Sequence, residues 1–393
     1  MRPPDPVFAD PRLAAMYDFF DADRSDLDAY AAIVEEDGAD LVVDVGCGTG
    51  CLAVLLAERG RSVVGLDPAR ASLDVARAKP YADRVTWLHG DATVLAGRGL
   101  AADLAVMTGN VAQVFVSDDD WSTTLTALHA ALRPGGFFVF ETRRPEVRDW
   151  ETWDVPPTDV RLPDGRVVGV SRTVTEVALP LITFVSTTAL DGEVVPSEST
   201  LRFRSRDELE DSLLAHGFTV EDVREAPDRP GKEMVFVARR ALSRVVLMCG
   251  PAGSGKSTYA RRLERAGMVR LSFDAVMWER GITEVPLPPD LRADIEAGLR
   301  ARLLELVAAG RDVVLDFSFW SRAMRDDYRA LLAPYGVVPE TVYLATDRDT
   351  VLQRIAARRG ADADDHVLTP ELAAEYFDHF EPPSVDEGPL TVV

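Results

Sequence analysis

Gly250, Gly253, Ser254, Gly255, Lys256 and Ser257 belong to an unbroken G-x-x-x-x-G-K-[ST] run, an order of residue types suited to holding a triphosphate. Glycines let successive backbone N–H groups turn toward phosphate oxygens. A helix opening through Lys256, Ser257 and Thr258 adds the positive end of its dipole. Lys256 is placed to reach the β- and γ-phosphates, and the Ser257 hydroxyl to ligate Mg²⁺. The chain has only three lysines, Lys79, Lys232 and Lys256, so a compact ammonium was kept where a guanidinium cannot replace it. These residues imply a nucleoside triphosphate site. Further along, Asp274 follows a short apolar run and is a candidate to take the proton of an acceptor hydroxyl. Asp316 ends the apolar run Asp312–Asp316 and suits a Walker-B-like position near Mg²⁺. Arg354 and Arg358, four apart on an expected helix, can fold over the phosphates and neutralise developing charge. The plainer alternative for them is an exposed basic face.

A second constellation lies in the first half. Leu41–Val45 carries Asp44 and runs into Gly46-Cys47-Gly48-Thr49-Gly50, a tight glycine turn that lets a ligand approach the backbone closely. A nicotinamide fingerprint would want glycine at position 51, where Cys51 stands. The next apolar run ends in Asp67, whose carboxylate can accept both hydroxyls of a ribose. A third run ends near Asp91-Ala92, which offers an acceptor for an adenine amino group. In an open α/β sheet these three strand ends meet at one edge, where ligands bind.

With Leu132-Arg-Pro-Gly-Gly136 added, residues 10–240 resemble the class I S-adenosylmethionine-dependent methyltransferases. The resemblance implies a Rossmann-like fold and S-adenosylmethionine as methyl donor. Gly46, Gly48 and Gly50 would line its methionine and ribose parts, Asp91-Ala92 would flank adenine, and Met107–Gln113, with Asn110, would border the methyl. Glu141, Arg143 and Arg144 are candidates to face the acceptor. Residues 243–393 resemble small P-loop kinases of the chloramphenicol-phosphotransferase, zeta-toxin and polynucleotide-kinase type, often labelled AAA-like. That likeness implies ATP as phosphoryl donor, Asp274 as base, Asp316 as the Walker-B residue, and Arg354 and Arg358 as lid arginines.

The elements that must position these groups alternate strand and helix, the mark of parallel α/β sheets. The expectation is two doubly wound three-layer domains, 1–241 and 242–393, the first with a β-rich insert at about 160–203. Expected strands include Ser62–Leu66, Arg166–Val170, Arg172–Val177 and Met234–Ala238, and expected helices Ser122–Leu132 and Arg348–Arg359. Asp191-Gly192 is a hairpin signal. The insert would serve as an acceptor lid or, more plainly, as a dimerising sheet of a homodimer.

A formal net charge of −22 argues against nucleic acid or an anionic membrane surface as partner and leaves small-molecule acceptors. No apolar run approaches the roughly 18 residues that cross a bilayer. Three scattered cysteines fit a reducing cytoplasm, with Cys47 and Cys51 expected as small buried fillers. His89, His129, His216, His366 and His379 lack metal or triad spacing and are expected to be structural. The functional expectation is a bifunctional methyltransferase and kinase. Its alternatives are a methyltransferase switched by an ATP-binding domain across the short 238–244 junction, or a kinase whose first domain only binds ligand.

Overall fold

The computed structural model describes residues 3–20, 24, 26–163, 165–190, 192–226, 228–282, 287–360, 363 and 367–393. It divides into two compact units, Met1–Ala241 and Leu242–Val393.

In the first unit, β1 (Leu41–Val45), β2 (Ser62–Asp67), β3 (Val85–His89), β4 (Ala102–Met107) and β5 (Leu132–Arg143) run parallel to their neighbours. They belong to a sheet ordered β10-β11-β5-β4-β1-β2-β3, closed by β10 (Phe218–Glu225) and β11 (Glu233–Arg240), which are antiparallel. The order of strand addition switches direction between the parallel neighbours β1 and β4, so a crevice opens at their carboxyl ends. Alternate strand residues feed two cores. Val43, Val45, Leu66 and Phe138 point to one face, and Val42, Val63, Leu104 and Val139 to the other.

Helices α1 (Pro6–Ala9), α2 (Pro11–Ala14), α3 (Tyr17–Phe20) and α4 (Asp26–Glu36) precede the sheet. The crossovers include α5 (Cys51–Glu58), α6 (Arg70–Arg77) and α7 (Asp118–Ala131), and α8 (Arg206–Ala215) precedes β10. Helix α7 begins before the expected Ser122 because Ser117 caps Asp120 N and three aspartates occupy the first turn.

The insert is an antiparallel sheet of β6 (Val155–Arg161), β7 (Val167–Ala178), β8 (Leu181–Leu190) and β9 (Glu193–Arg202), starting earlier than expected. The two pieces expected at 166–170 and 172–177 are one strand, because β8 pairs along it from Ala189 to Leu181 through one bulge. Asp191 lies outside the described residues, but β8 and β9 pair from Leu190 with Glu193.

The second unit has an all-parallel sheet ordered β13-β14-β12-β15-β16. Its strands are β12 (Val245–Cys249), β13 (Val269–Ser272), β14 (Val313–Asp316), β15 (Glu340–Tyr343) and β16 (Leu390–Val392). Helices α9 (Lys256–Arg265), α10 (Phe273–Glu279), α11 (Pro289–Ala308), α12 (Arg322–Leu332), α13 (Arg348–Ala356) and α14 (Pro370–Asp378) complete it. Both sheet faces are covered: Leu247 and Leu315 enter one core, Val246 and Val314 the other. Helix α13 stops three residues before the expected Arg359, so Arg358 lies beyond its end rather than on its face.

Candidate active sites

The crevice of the first sheet is a cavity of about 190 Å³. Gly46, Gly48 and Gly50 all take positive φ, between 53° and 78°. A Cβ on Gly50 would stand 2.5 Å from the Trp87 ring, so this turn admits only glycine without displacing the indole. Asp67 ends β2, and its two oxygens accept Gly48 N at 2.9 Å and Ala69 N at 2.7 Å. Each oxygen has a further lone pair, so the carboxylate both braces the glycine turn and can take hydroxyl donors. Asp44 is 1% exposed, its Oδ1 has no partner, and burial next to Asp67 pushes its pKa up to about 7. Asp91 lines the same cavity while accepting Thr93 N at 2.9 Å, and Ala92 is buried beside it. Cys47 also lines the cavity, and burial pushes its thiol well above the usual range.

Asn110 does not share this arrangement. It is 3% exposed, its backbone turns left-handed at φ 59°, and its Nδ2 donates to Glu233 Oε1 at 2.9 Å. Its side-chain donor is thus committed to a carboxylate on β11, not offered to a cofactor. Glu141 is equally occupied, accepting Tyr30 Oη and Asn110 N, and burial raises its pKa. Arg143 donates to Gln113 at 2.8 Å and Arg144 to Glu225 at 2.8 Å. These groups form buried or paired polar contacts instead of facing an open acceptor site.

The second unit has a cavity of about 1030 Å³ around the phosphate loop. Gly250, Gly253 and Gly255 have positive φ, and Gly255 ends the loop as the cap of α9 with no side-chain cap bond. Its first-turn N–H groups, with Ser257 and Thr258 lining the cavity, face a space suited to anionic oxygens. Lys256 Nζ donates to Pro251 O at 2.8 Å, and burial pulls its pKa down to about 8. Ser257 Oγ donates to Asp316 Oδ1 at 3.3 Å, while Arg270 Nε donates to Asp316 Oδ2 at 2.9 Å. The hydroxyl and one carboxylate oxygen therefore sit together, and the other oxygen is neutralised from behind. Ser254 is 3% exposed with an unpartnered Oγ.

Asp274 stands in the first turn of α10, not at the end of a strand, and lines this cavity with Arg354 and Arg358. Arg354 Nη1 lies 3.3 Å from Gly253 O and 3.4 Å from Ser254 O, over the loop itself. His379 lines the cavity, whereas His89, His129 and His216 are held in local contacts. His366 lies outside the described residues.

Two stretches of the chain match known domain families. A methyltransferase domain matches residues 42–136, and an AAA domain matches residues 245–383. The chain joins a methyltransferase domain to an AAA domain. The ubiquinone biosynthesis O-methyltransferase of Roseobacter denitrificans is 35% identical over 103 residues, 26% of this chain and 40% of that protein. The glycine N-methyltransferase of Rattus norvegicus is 31% identical over 157 residues, 35% of this chain and 53% of that one. The chain thus spans about two-fifths to half the length of these relatives. An S-adenosylmethionine-dependent methyltransferase from Clostridium acetobutylicum, of known crystal structure, aligns with a TM-score of 0.49 at 16% identity. That alignment covers 58% of this chain and 98% of its own. No helix among the described residues is long and apolar enough to cross a membrane.

In the methyltransferase domain, sequence reasoning missed a strap. Pro3, Phe8 and Tyr17 line the cavity from the N-terminal segment, Phe8 on α1 and Tyr17 on α3. Asp18 on α3 latches this strap to the glycine turn: Thr49 Oγ1 donates to it at 2.5 Å, and Lys79 Nζ lies 2.6 Å away. Cys51 packs against the core and is also part of the latch, with Lys79 Nζ 2.9 Å from its sulfur. Nothing in the spacing of residues 18, 49 and 79 signals this meeting. Asp18→Asn removes the charge holding the strap and is expected to speed release of S-adenosylmethionine roughly 2–5-fold, the scale of a partly exposed ion pair. Stopped-flow displacement measures it, and an unchanged rate rules the latch out.

Proposed function

We propose that the chain is a bifunctional enzyme. Its methyltransferase domain would methylate a small molecule from S-adenosylmethionine, and its AAA domain would move the γ-phosphoryl group of ATP to a small-molecule hydroxyl. What carries the reading is that each domain has a glycine turn at the carboxyl edge of its sheet, beside a cavity, with acidic residues at the adjoining strand ends.

The residues of the first cavity fit S-adenosylmethionine. Asp44 offers an unpartnered buried oxygen to a cationic ligand, and in the glycine cradle Gly48 borders open space while Gly46 and Gly50 let the turn pack against Val111 and Trp87. Asp67 would hold the ribose hydroxyls and Asp91 the adenine amine. When bound, the sulfonium supplies an electrophilic methyl group. The protein's share is alignment and exclusion of water, the latter helped by the strap.

In the AAA domain, Ser257 and Asp316 fit a hard cation by their oxygen donors and would hold Mg²⁺. Lys256, Arg354 and Arg358 would bind the phosphates. Asp274 would accept the acceptor's proton as its oxygen bonds to the γ-phosphorus. The bond from that phosphorus to the β,γ-bridging oxygen breaks, and ADP leaves.

Incubating the protein with a metabolite extract, methyl-labelled S-adenosylmethionine and γ-labelled ATP tests both halves. The expected result, read by mass spectrometry, is a labelled methylated product and a labelled phosphorylated one. Free phosphate as the sole product of ATP would reject the kinase reading and favour an ATP-driven switch.

A further inference from the structure

We infer that the phosphoryl acceptor of the AAA domain is a small alcohol carrying a planar ring, which stacks on Trp320. This rests on the phosphotransfer reading above and adds a substrate class to it. The observation behind it is a strained turn. Between β14 and α12 the chain passes through Phe319 at φ 41°, a left-handed conformation that a bulky aromatic residue adopts only when its surroundings compel it.

The compulsion is visible. The Phe319 ring is fully buried, 5.0 Å from Tyr328 and 5.5 Å from Phe317, ring centre to ring centre. Its carbonyl accepts Arg325 Nη1 at 2.9 Å, and Arg325 is itself buried and paired with Glu387 at 2.7 Å. On either side, Ser318 O accepts Gly250 N of the phosphate loop at 3.2 Å, and Trp320 O accepts Glu381 N at 2.9 Å. The turn is therefore tied to the loop, to α12 and to the C-terminal segment.

What this expensive geometry presents is an indole. Trp320 is 42% exposed yet lines the cavity that contains Lys256 and Asp274. Core packing gains little from a half-exposed tryptophan, so the placing of this ring in the cleft is better explained by what it meets there. Tyr376, 40% exposed on α14, lines the same cavity. The cavity that holds Asp274 is lined by Phe273, Met277, Leu287 and Met324 together with Arg292 and Glu296. A cavity of about 1030 Å³ can hold a nucleotide and a second small molecule. Aromatic surfaces exposed in a cleft stack planar rings without reading their edges. The net charge of −22 is unsuited to a polynucleotide.

The test uses the full chain, a non-hydrolysable ATP analogue with Mg²⁺, and fluorine NMR. The probes are 4-fluorobenzyl alcohol and 2-deoxy-2-fluoroglucose, a polyol with no planar ring. The fluorobenzyl alcohol is expected to bind at least about ten-fold tighter than the sugar. Trp320→Leu should weaken it roughly five-fold or more, and Trp320→Phe should restore most of the loss. Equal binding of the two probes, or unaltered alcohol binding by Trp320→Leu, overturns the inference. Displacement of the alcohol by a 5′-hydroxyl oligothymidylate also overturns it, in favour of a nucleic-acid acceptor. Failure of the ATP analogue itself to bind rejects the phosphotransfer reading, a result distinct from those three.

Discussion

Lys256→Met is expected to abolish ATP turnover while raising the melting temperature of the nucleotide-free AAA domain. Burial is the main reason the Lys256 pKa falls from 10.5 to about 8. The folded domain therefore binds fewer protons than the unfolded chain between pH 8 and 10.5. Stability lost to burying the ammonium is fully absent below pH 8 and returns as pH rises through that interval. A pKa lowered to about 8 corresponds to a destabilisation on the order of 2–3 kcal/mol at pH 7. Methionine fills the space without charge and should recover up to that amount, roughly 5–10 °C for a domain of this size. Turnover moves the other way, because the ammonium is needed where charge gathers on the phosphates, and its loss should cost at least about 10²–10³-fold. For the same reason ATP affinity of the unaltered protein should weaken as pH rises above 8. Calorimetry at pH 7 and 9, with an ATPase assay, measures both. Wild-type turnover in the variant would remove Lys256 from the site, and a lower melting temperature would refute the buried-ammonium account. The same variant separates the domains' roles. Methylation that falls with ATP turnover means the AAA domain acts as a switch, and unchanged methylation means independence.

Asp67→Ala is expected to damage the methyltransferase domain in two ways at once. The carboxylate holds Gly48 N and Ala69 N, so alanine leaves buried donors unpaired and the glycine turn unbraced. Each such donor costs about 1–3 kcal/mol. The lost ribose acceptor adds a similar amount to binding. S-adenosylmethionine affinity should therefore drop by about 100-fold or more, and the domain should unfold at lower denaturant. Asp67→Asn, which keeps one acceptor oxygen, should fall between. Unaltered affinity in titration calorimetry would show that the cofactor is not held at the end of β2.

The glycine turns, Asp44, Asp67 and the phosphate loop were legible because each is a local device. Strand, turn and helix start lie within about ten residues, and the physics of a tight turn leaves glycine little competition. The division of the chain into α/β layers was legible for a similar reason, since parallel strands buried on both faces are continuous apolar runs. Asn110 shows where that ends. Its place after β4 was readable, but its partner Glu233 lies 123 residues away on an antiparallel strand. Arg358 shows the same at smaller scale: four residues from Arg354 suggests one helix face, and the helix stops at Ala356.

The order of residue types thus determined by itself that two nucleotide-like turns exist, and which acids stand next to each. Only the tertiary structure decided that residues 18, 49 and 79 meet as a latch, that Arg270 backs Asp316, and that a strained Phe319 turns Trp320 into the cleft. The physical reason is range. A turn is specified by dihedral preferences of the residues that form it. A contact between distant side chains is specified by packing, hydrogen bonding and charge, which act only once the whole chain has brought them together.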